Sequence, residues 1–102
     1  MPDPRIWPVP SANDGGVIVG AASAIVLAAN PNRVDAEFTN YSDPSEAICL
    51  ARGNAAVMGQ GIILTVYGGT YRIGTNNLFL GDIYAICESG DAILAISEGV
   101  KP

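Results

Sequence analysis

The chain has 102 residues, the size of a single domain. Apolar residues make up 49% of it and charged residues only 15%, against about 25% charged in an average globular protein, so part of the outer surface is expected to be buried against sister subunits or a larger assembly. The net charge is −5, and the basic residues Arg5, Arg33, Arg52, Arg72 and Lys101 are scattered, which leaves no stripe to neutralise phosphates and argues against nucleic acid or an anionic membrane as partner.

Residues 1–16 differ from the rest. Pro2, Pro4, Pro8 and Pro10 fall within ten residues and are followed by Ser11-Ala12-Asn13-Asp14-Gly15-Gly16. Proline at this density removes backbone donors and favours extended conformations, so the segment is expected to be an arm and not a central strand. It carries Ile6 and Trp7, large apolar groups with no local core. An arm that docks on something accounts for them.

Residues 17–102 read as one β domain. Val17 to Ala29 is uncharged but about seven residues short of the roughly 20 a bilayer span needs. No positively charged segment precedes it, so it does not read as an export signal. Alanine is frequent between Ala21 and Ala29 and invites a helical reading. Val17, Ile18, Val19, Ile25 and Val26 are β-branched and favour a strand instead. Asn30-Pro31-Asn32 supplies the turn that ends it. Arg33 to Thr39 alternates, placing Val34, Ala36 and Phe38 on one face and Arg33, Asp35, Glu37 and Thr39 on the other. A turn is expected over Asn40 to Ser45, where Asn40-Tyr41-Ser42 also matches a glycosylation sequon that has no export context to support it.

Ala47 to Ala51 is a further strand, ended by Arg52-Gly53-Asn54. Gly61 to Tyr67 is β-branched and apolar, and Gly68-Gly69 after it is a candidate hairpin turn into Thr70-Tyr71-Arg72-Ile73. Leu78-Phe79-Leu80 reads as a short strand or a loop plug. Two closing strands run from Ile83 to Cys87 and from Ala92 to Ser97. Strands at this short spacing, with Gly/Asn/Asp turns, predict an all-β fold: a small antiparallel sandwich or barrel of about eight short strands. In the last strand Ala92, Leu94 and Ile96 alternate with Ile93, Ala95 and Ser97, and neither side carries charge before Glu98. A strand apolar on both sides is buried on both sides, which makes Ile93, Ala95 and Ile96 candidates for an oligomer interface.

Cys49 and Cys87 lie in apolar runs and read as two buried thiols, with a single disulfide between them as the alternative. There is no histidine, so triads built on it and the commonest metal ligand are excluded. Asp35 and Glu37 share a strand face, a pattern more typical of solvated strand charge than of a glycosidase pair. Asp82, Glu88 and Asp91 lack the Asp-x-Asp-x-Asp-Gly spacing of a calcium loop. No glycine-rich phosphate loop is present. No catalytic residues, cofactor or metal are therefore expected, and the chain is read as a non-enzymatic protein. The aromatic candidates for binding a partner are Tyr41, Tyr67 and Tyr71, near turns, where tyrosine either anchors an interface, stacks on a sugar or caps the core.

From Ala24 to Gly99 the chain resembles small virion proteins of tailed bacteriophages. The likeness rests on an apolar strand entering Asn30-Pro31-Asn32-Arg33, an alternating strand ending at Asn40, the Ile48 to Leu50 strand, Gly61-Ile62-Ile63-Leu64, Gly68-Gly69-Thr70-Tyr71, and the closing strands Gly81 to Glu88 and Asp91 to Glu98. The resemblance implies a β-sandwich or barrel module of the capsid or a fibre, often trimeric, located in the virion. It makes the leading expectation a capsid decoration or cement protein, whose partners are the major capsid protein or another virion protein and further copies of itself. The alternative expectation is a carbohydrate-binding or host-recognition module of a phage fibre, using Tyr41, Tyr67 and Tyr71.

Overall fold

The computed structural model describes residues 12–41, 47–65, 68–74, 76–88 and 92–101. Its strands are β1 (Ala12–Val19), β2 (Ala24–Leu27), β3 (Arg33–Asn40), β4 (Ile48–Arg52), β5 (Ile62–Leu64), β6 (Thr70–Ile73), β7 (Ile83–Cys87) and β8 (Ala92–Val100). They form two four-stranded antiparallel sheets, ordered β1-β8-β3-β6 and β2-β7-β4-β5. The described residues include no helix, and so none that could cross a membrane. Of the expected sandwich or barrel of about eight short strands, the described residues form the sandwich, with eight. Its strand order is that of a jelly roll, in which the chain passes from sheet to sheet at nearly every connection.

The core lies between the sheets. Phe38, Leu94 and Ile73 come from the first, and Ile48, Leu50, Ile83 and Leu64 from the second. Alternation assigns the faces. In β3, Ala36 and Phe38 point inward while Glu37 is exposed; in β7, Ile83, Ala85 and Cys87 are the buried positions.

Four local expectations change. The apolar run from Val17 is two strands, because the chain changes sheets after Val19. Gly20 carbonyl accepts the Cys87 N–H (3.0 Å) and the Cys87 thiol donates to Val19 carbonyl (3.1 Å), fixing the crossing. The sheet also starts earlier than composition suggested. Ala12 to Gly16, assigned to the arm by their turn-forming residues, pair with Gly99 to Ala95 of β8. Gly68-Gly69 is no hairpin turn, since β5 pairs with β4 and β6 with β3, in different sheets. The glycines serve a close crossing: Gly68 has φ near 101°, and a Cβ on Gly69 would collide with the backbone of Thr65. Asn40, fully buried, braces this point. Its side-chain amide donates to Leu64 carbonyl (3.1 Å), and its backbone exchanges hydrogen bonds with Gly68 and Gly69.

The fourth change concerns Arg33, expected on the exposed face and found fully buried. A bulge in β3 is the cause. Arg33 pairs with Val100 and Asp35 with Gly99, so one extra residue intervenes and the alternation reverses. Arg33 then points inward beside Glu98, which continues the inward series Ala92, Leu94, Ile96. The Arg33 Nε–H donates to Glu98 Oε2 (2.6 Å). Its Nη1 donates to the carbonyls of Phe79 (2.8 Å) and Gly81 (3.1 Å), and Nη2 to that of Ala28 (2.7 Å). Leu78-Phe79-Leu80 is accordingly a loop plug: Phe79 packs on the core and its backbone is held by the guanidinium.

Candidate interaction surfaces

The outer face of the first sheet can be read row by row from its register. At one end Asp14, Ser97, Glu37 and Arg72 stand side by side across β1, β8, β3 and β6. The middle row is Gly16, Ala95, Thr39 and Thr70. The third row begins with Ile18 opposite Ile93. Tyr41 extends it, following β3 and donating its N–H to Ile93 carbonyl (2.8 Å). Ile18 is 73% exposed, Tyr41 72% and Ile93 41%. The face thus has a polar end, a flat middle of small side chains, and an apolar end.

The outer face of the second sheet is different. Cys49 points outward from β4, between Ile63 and Ile86, yet is buried. The loop from Gly53 to Gly61 folds over it: Gly59 N–H donates to Cys49 Sγ (3.4 Å), Ala56 is buried, and Ala56 N–H donates to Ser23 Oγ (2.8 Å). Ile25, Val57 and Ile63 remain exposed around this cover. Among the described residues, one face of the sandwich is therefore partly roofed by its own chain, and the other is bare.

Of the residues singled out from the sequence, Ile6, Trp7 and Tyr67 lie outside the described residues. Ile93 and Ala95 face outward on the bare sheet, as an interface requires. Ile96 does not: it faces the other way, belongs to the core cluster and is only 8% exposed. Period-two alternation separates it from Ile93, which the apolar composition of the strand concealed. Tyr41 is free to make contacts, whereas Tyr71 is not a loop aromatic. It pairs with the inward-facing Phe38, and the two rings stack with centroids 6.2 Å apart. The two tyrosines consequently do not form one stacking platform. Ile18 was missed, because only its pairing with Ile93 places both on one row.

Acidic side chains in the described residues are mostly engaged with structure. Asp35 accepts from Gly99 N–H (3.0 Å), Asp82 from Ala29 N–H (2.7 Å), and Asp14 from the Ser97 hydroxyl. Among the described residues no cluster of three potential metal ligands occurs. Neither cysteine is in a disulfide, and both are buried. They stand on opposite faces of the second sheet, Cys49 outward and Cys87 inward, so their Cβ vectors diverge and a mutual disulfide is sterically barred.

One more feature lies at the open margin of the sandwich. β1 has eight residues and β2 only four, so the first half of β1 has little across from it. The inward position there is Gly15, opposite Ile96, and a Cβ built on it meets nothing within 4 Å. The result is a hollow of about 220 Å³, lined by the apolar Val17, Val26, Leu27 and Ile96 and the polar Asn13 and Asp14, with the backbone of Gly15 as its floor.

No protein-family model matches the chain, and no curated protein matches it. One solved structure, of Bacillus endospore appendages described as a novel family of disulfide-linked pili, is similar to it at 13% identity, over 89% of this chain and 87% of that one, with a TM-score of 0.46.

Proposed function

We propose that this chain is a non-enzymatic structural protein of a virion, a decoration or cement protein that coats a phage head as a homo-oligomer, a trimer by preference. The observation that carries the reading is the bare outer face of the first sheet, where Ile18, Ile93 and Tyr41 line up in one exposed apolar row. Large apolar side chains left in water forfeit roughly 1.5–3 kcal/mol each, and contiguous ones mark interaction sites. The low proportion of charge supports the same reading. Jelly rolls occur in capsid proteins and also in lectins, so the fold by itself does not choose between them. The stacking of Tyr71 on Phe38 takes one aromatic away from a sugar-binding site and favours the structural role over glycan recognition.

On this reading the arm, with Ile6 and Trp7, grips a neighbour or the shell, and the sandwich supplies the oligomer contact. The test is co-sedimentation of the purified chain with undecorated heads of the phage that encodes it. Saturable binding at a fixed number of copies per head is expected. Failure to bind, together with a positive glycan array, would replace this reading with the fibre-module one.

A further inference from the structure

We propose that the hollow beside Gly15 is the seat for the arm of a second copy of this chain, with Trp7 as the inserted side chain. The proposal deepens the functional reading above by naming what the arm holds, and it rests on that reading for the arm's role as an anchor.

The hollow is of a size to take one large side chain. About 220 Å³ falls below the roughly 300–1,000 Å³ of small-molecule pockets. A cavity of about 150 Å³ already accepts a benzene ring, so an indole is the matching guest. Its apolar walls are Val17, Val26, Leu27 and Ile96, and Asn13 and Asp14 of β1 line its polar side. Among the described strands none pairs with the outer edge of β1. An indole can bury its ring there and keep its N–H toward that edge.

The sequence supplies one tryptophan, and it stands five residues before the strand that floors the hollow. Only Pro8, Val9, Pro10 and Ser11 separate it from that strand. Two prolines in four residues restrict their own φ and the residues before them, which disfavours a tight reversal onto the parent strand and favours capture by another copy. Arm into the next copy's hollow is a heterologous contact, which closes into a ring such as a trimer when the rotation permits.

Two measurements test this. In the full chain, Trp7 is the only indole, so its emission reports its own surroundings. Emission typical of a buried indole is expected at micromolar concentration, moving to that of a water-exposed one on dilution, in step with loss of oligomer mass by sedimentation. Gly15→Leu fills the hollow from its floor without strain, because space is open at that Cβ; it should expose Trp7 at all concentrations. Buried emission that persists on dilution to a monomer would overturn docking between copies, and an unchanged emission and mass in Gly15→Leu would overturn the hollow as the seat.

The second measurement does not depend on the oligomer. A synthetic peptide of residues 1–11 is titrated into full-length Trp7→Ala, so that the peptide carries the only indole. Blue-shifted, saturable emission is expected, with affinity reduced at least about 30-fold in Trp7→Ala/Gly15→Leu, the loss of a hot-spot contact. No blue shift, or equal affinity for both receptors, overturns the proposal. Failure of the functional reading is separable: Gly15→Leu that still decorates heads spares that reading and removes this seat, whereas arm exchange without any head binding does the reverse.

Discussion

Replacing Arg33 by methionine should be among the most damaging single changes available to this domain. The side chain is fully buried and its guanidinium donates to Glu98 and to the carbonyls of Phe79, Gly81 and Ala28. Methionine fills much of the volume but donates nothing. It leaves the Glu98 carboxylate, itself only 6% exposed, without its cation. Removing one partner of a buried ion pair costs about 3–5 kcal/mol. A domain of this size has only about 5–15 kcal/mol in total, so Arg33→Met should lose about a fifth or more of its stability. Urea unfolding followed by circular dichroism measures the change, and Tm should fall by at least about 12 °C. Arg33→Lys should recover little, because a point-like ammonium cannot span four acceptors held in a fork. The double variant Arg33→Met/Glu98→Met removes the orphaned charge and should be more stable than Arg33→Met, while remaining below wild type because the three carbonyls stay unsatisfied. A loss below about 1 kcal/mol in Arg33→Met, within the range of an exposed pair, would show that the buried staple does not hold this end of the sandwich.

Three further changes probe other parts of the fold. Gly69→Ala pushes a methyl into the backbone of Thr65, which cannot rotate away; a loss of about 3 kcal/mol is expected in the same urea assay, the upper end of overpacking costs. Cys49 and Cys87 are buried thiols on opposite sheet faces, so Ellman reagent should label them only after denaturation, and reduced and air-exposed samples should melt alike. Ile18→Asp, at a side chain 73% exposed in the isolated subunit, should leave monomer stability within about 0.5 kcal/mol and lower the oligomer mass in sedimentation; an unchanged mass would move the interface off this face.

Strand count and sheet class were legible because the turn residues punctuate the chain and because β3 and β7 alternate. What stayed hidden depended on partners distant in sequence. Gly68-Gly69 has the local signature of a hairpin, but only knowing that β4 and β3 lie in different sheets shows that the chain must cross there. Arg33 reads as a surface residue in a strict alternation, and nothing between Arg33 and Asp35 announces an extra residue; the bulge appears only in the register against Val100 and Gly99. Ile96 and Ile93 are equally apolar, so composition could not say which of them meets the core. Tyr71 looked free beside a glycine pair until its cross-strand partner proved to be Phe38. In each case the local rule was obeyed and the pairing partner decided the outcome.

The energetics of the bare face bear on why an arm is needed at all. Burying Ile18 from 73% exposure and Ile93 from 41% would gain roughly 1–2 and 0.6–1.2 kcal/mol. Tyr41 adds a gain of similar size, and the small residues of the middle row, Gly16, Ala95 and Thr39, add mainly close approach. The sum, a few kcal/mol, does not exceed the roughly 4–15 kcal/mol of translational and rotational freedom lost on association. A flat sheet face of this composition cannot by itself hold a micromolar oligomer, which requires about 8 kcal/mol net. A tryptophan buried in an aliphatic hollow is a second contact made within the same encounter, for which the association cost has already been met; linked contacts of this kind multiply affinity. On the proposed arrangement neither the face nor the arm suffices alone, and the oligomer depends on both. Ile18→Asp and Trp7→Ala, at different contacts, should accordingly each dissociate the oligomer at micromolar concentration instead of weakening it by half. A protein that loses only one of the two sensitivities would carry its whole assembly energy at the other contact.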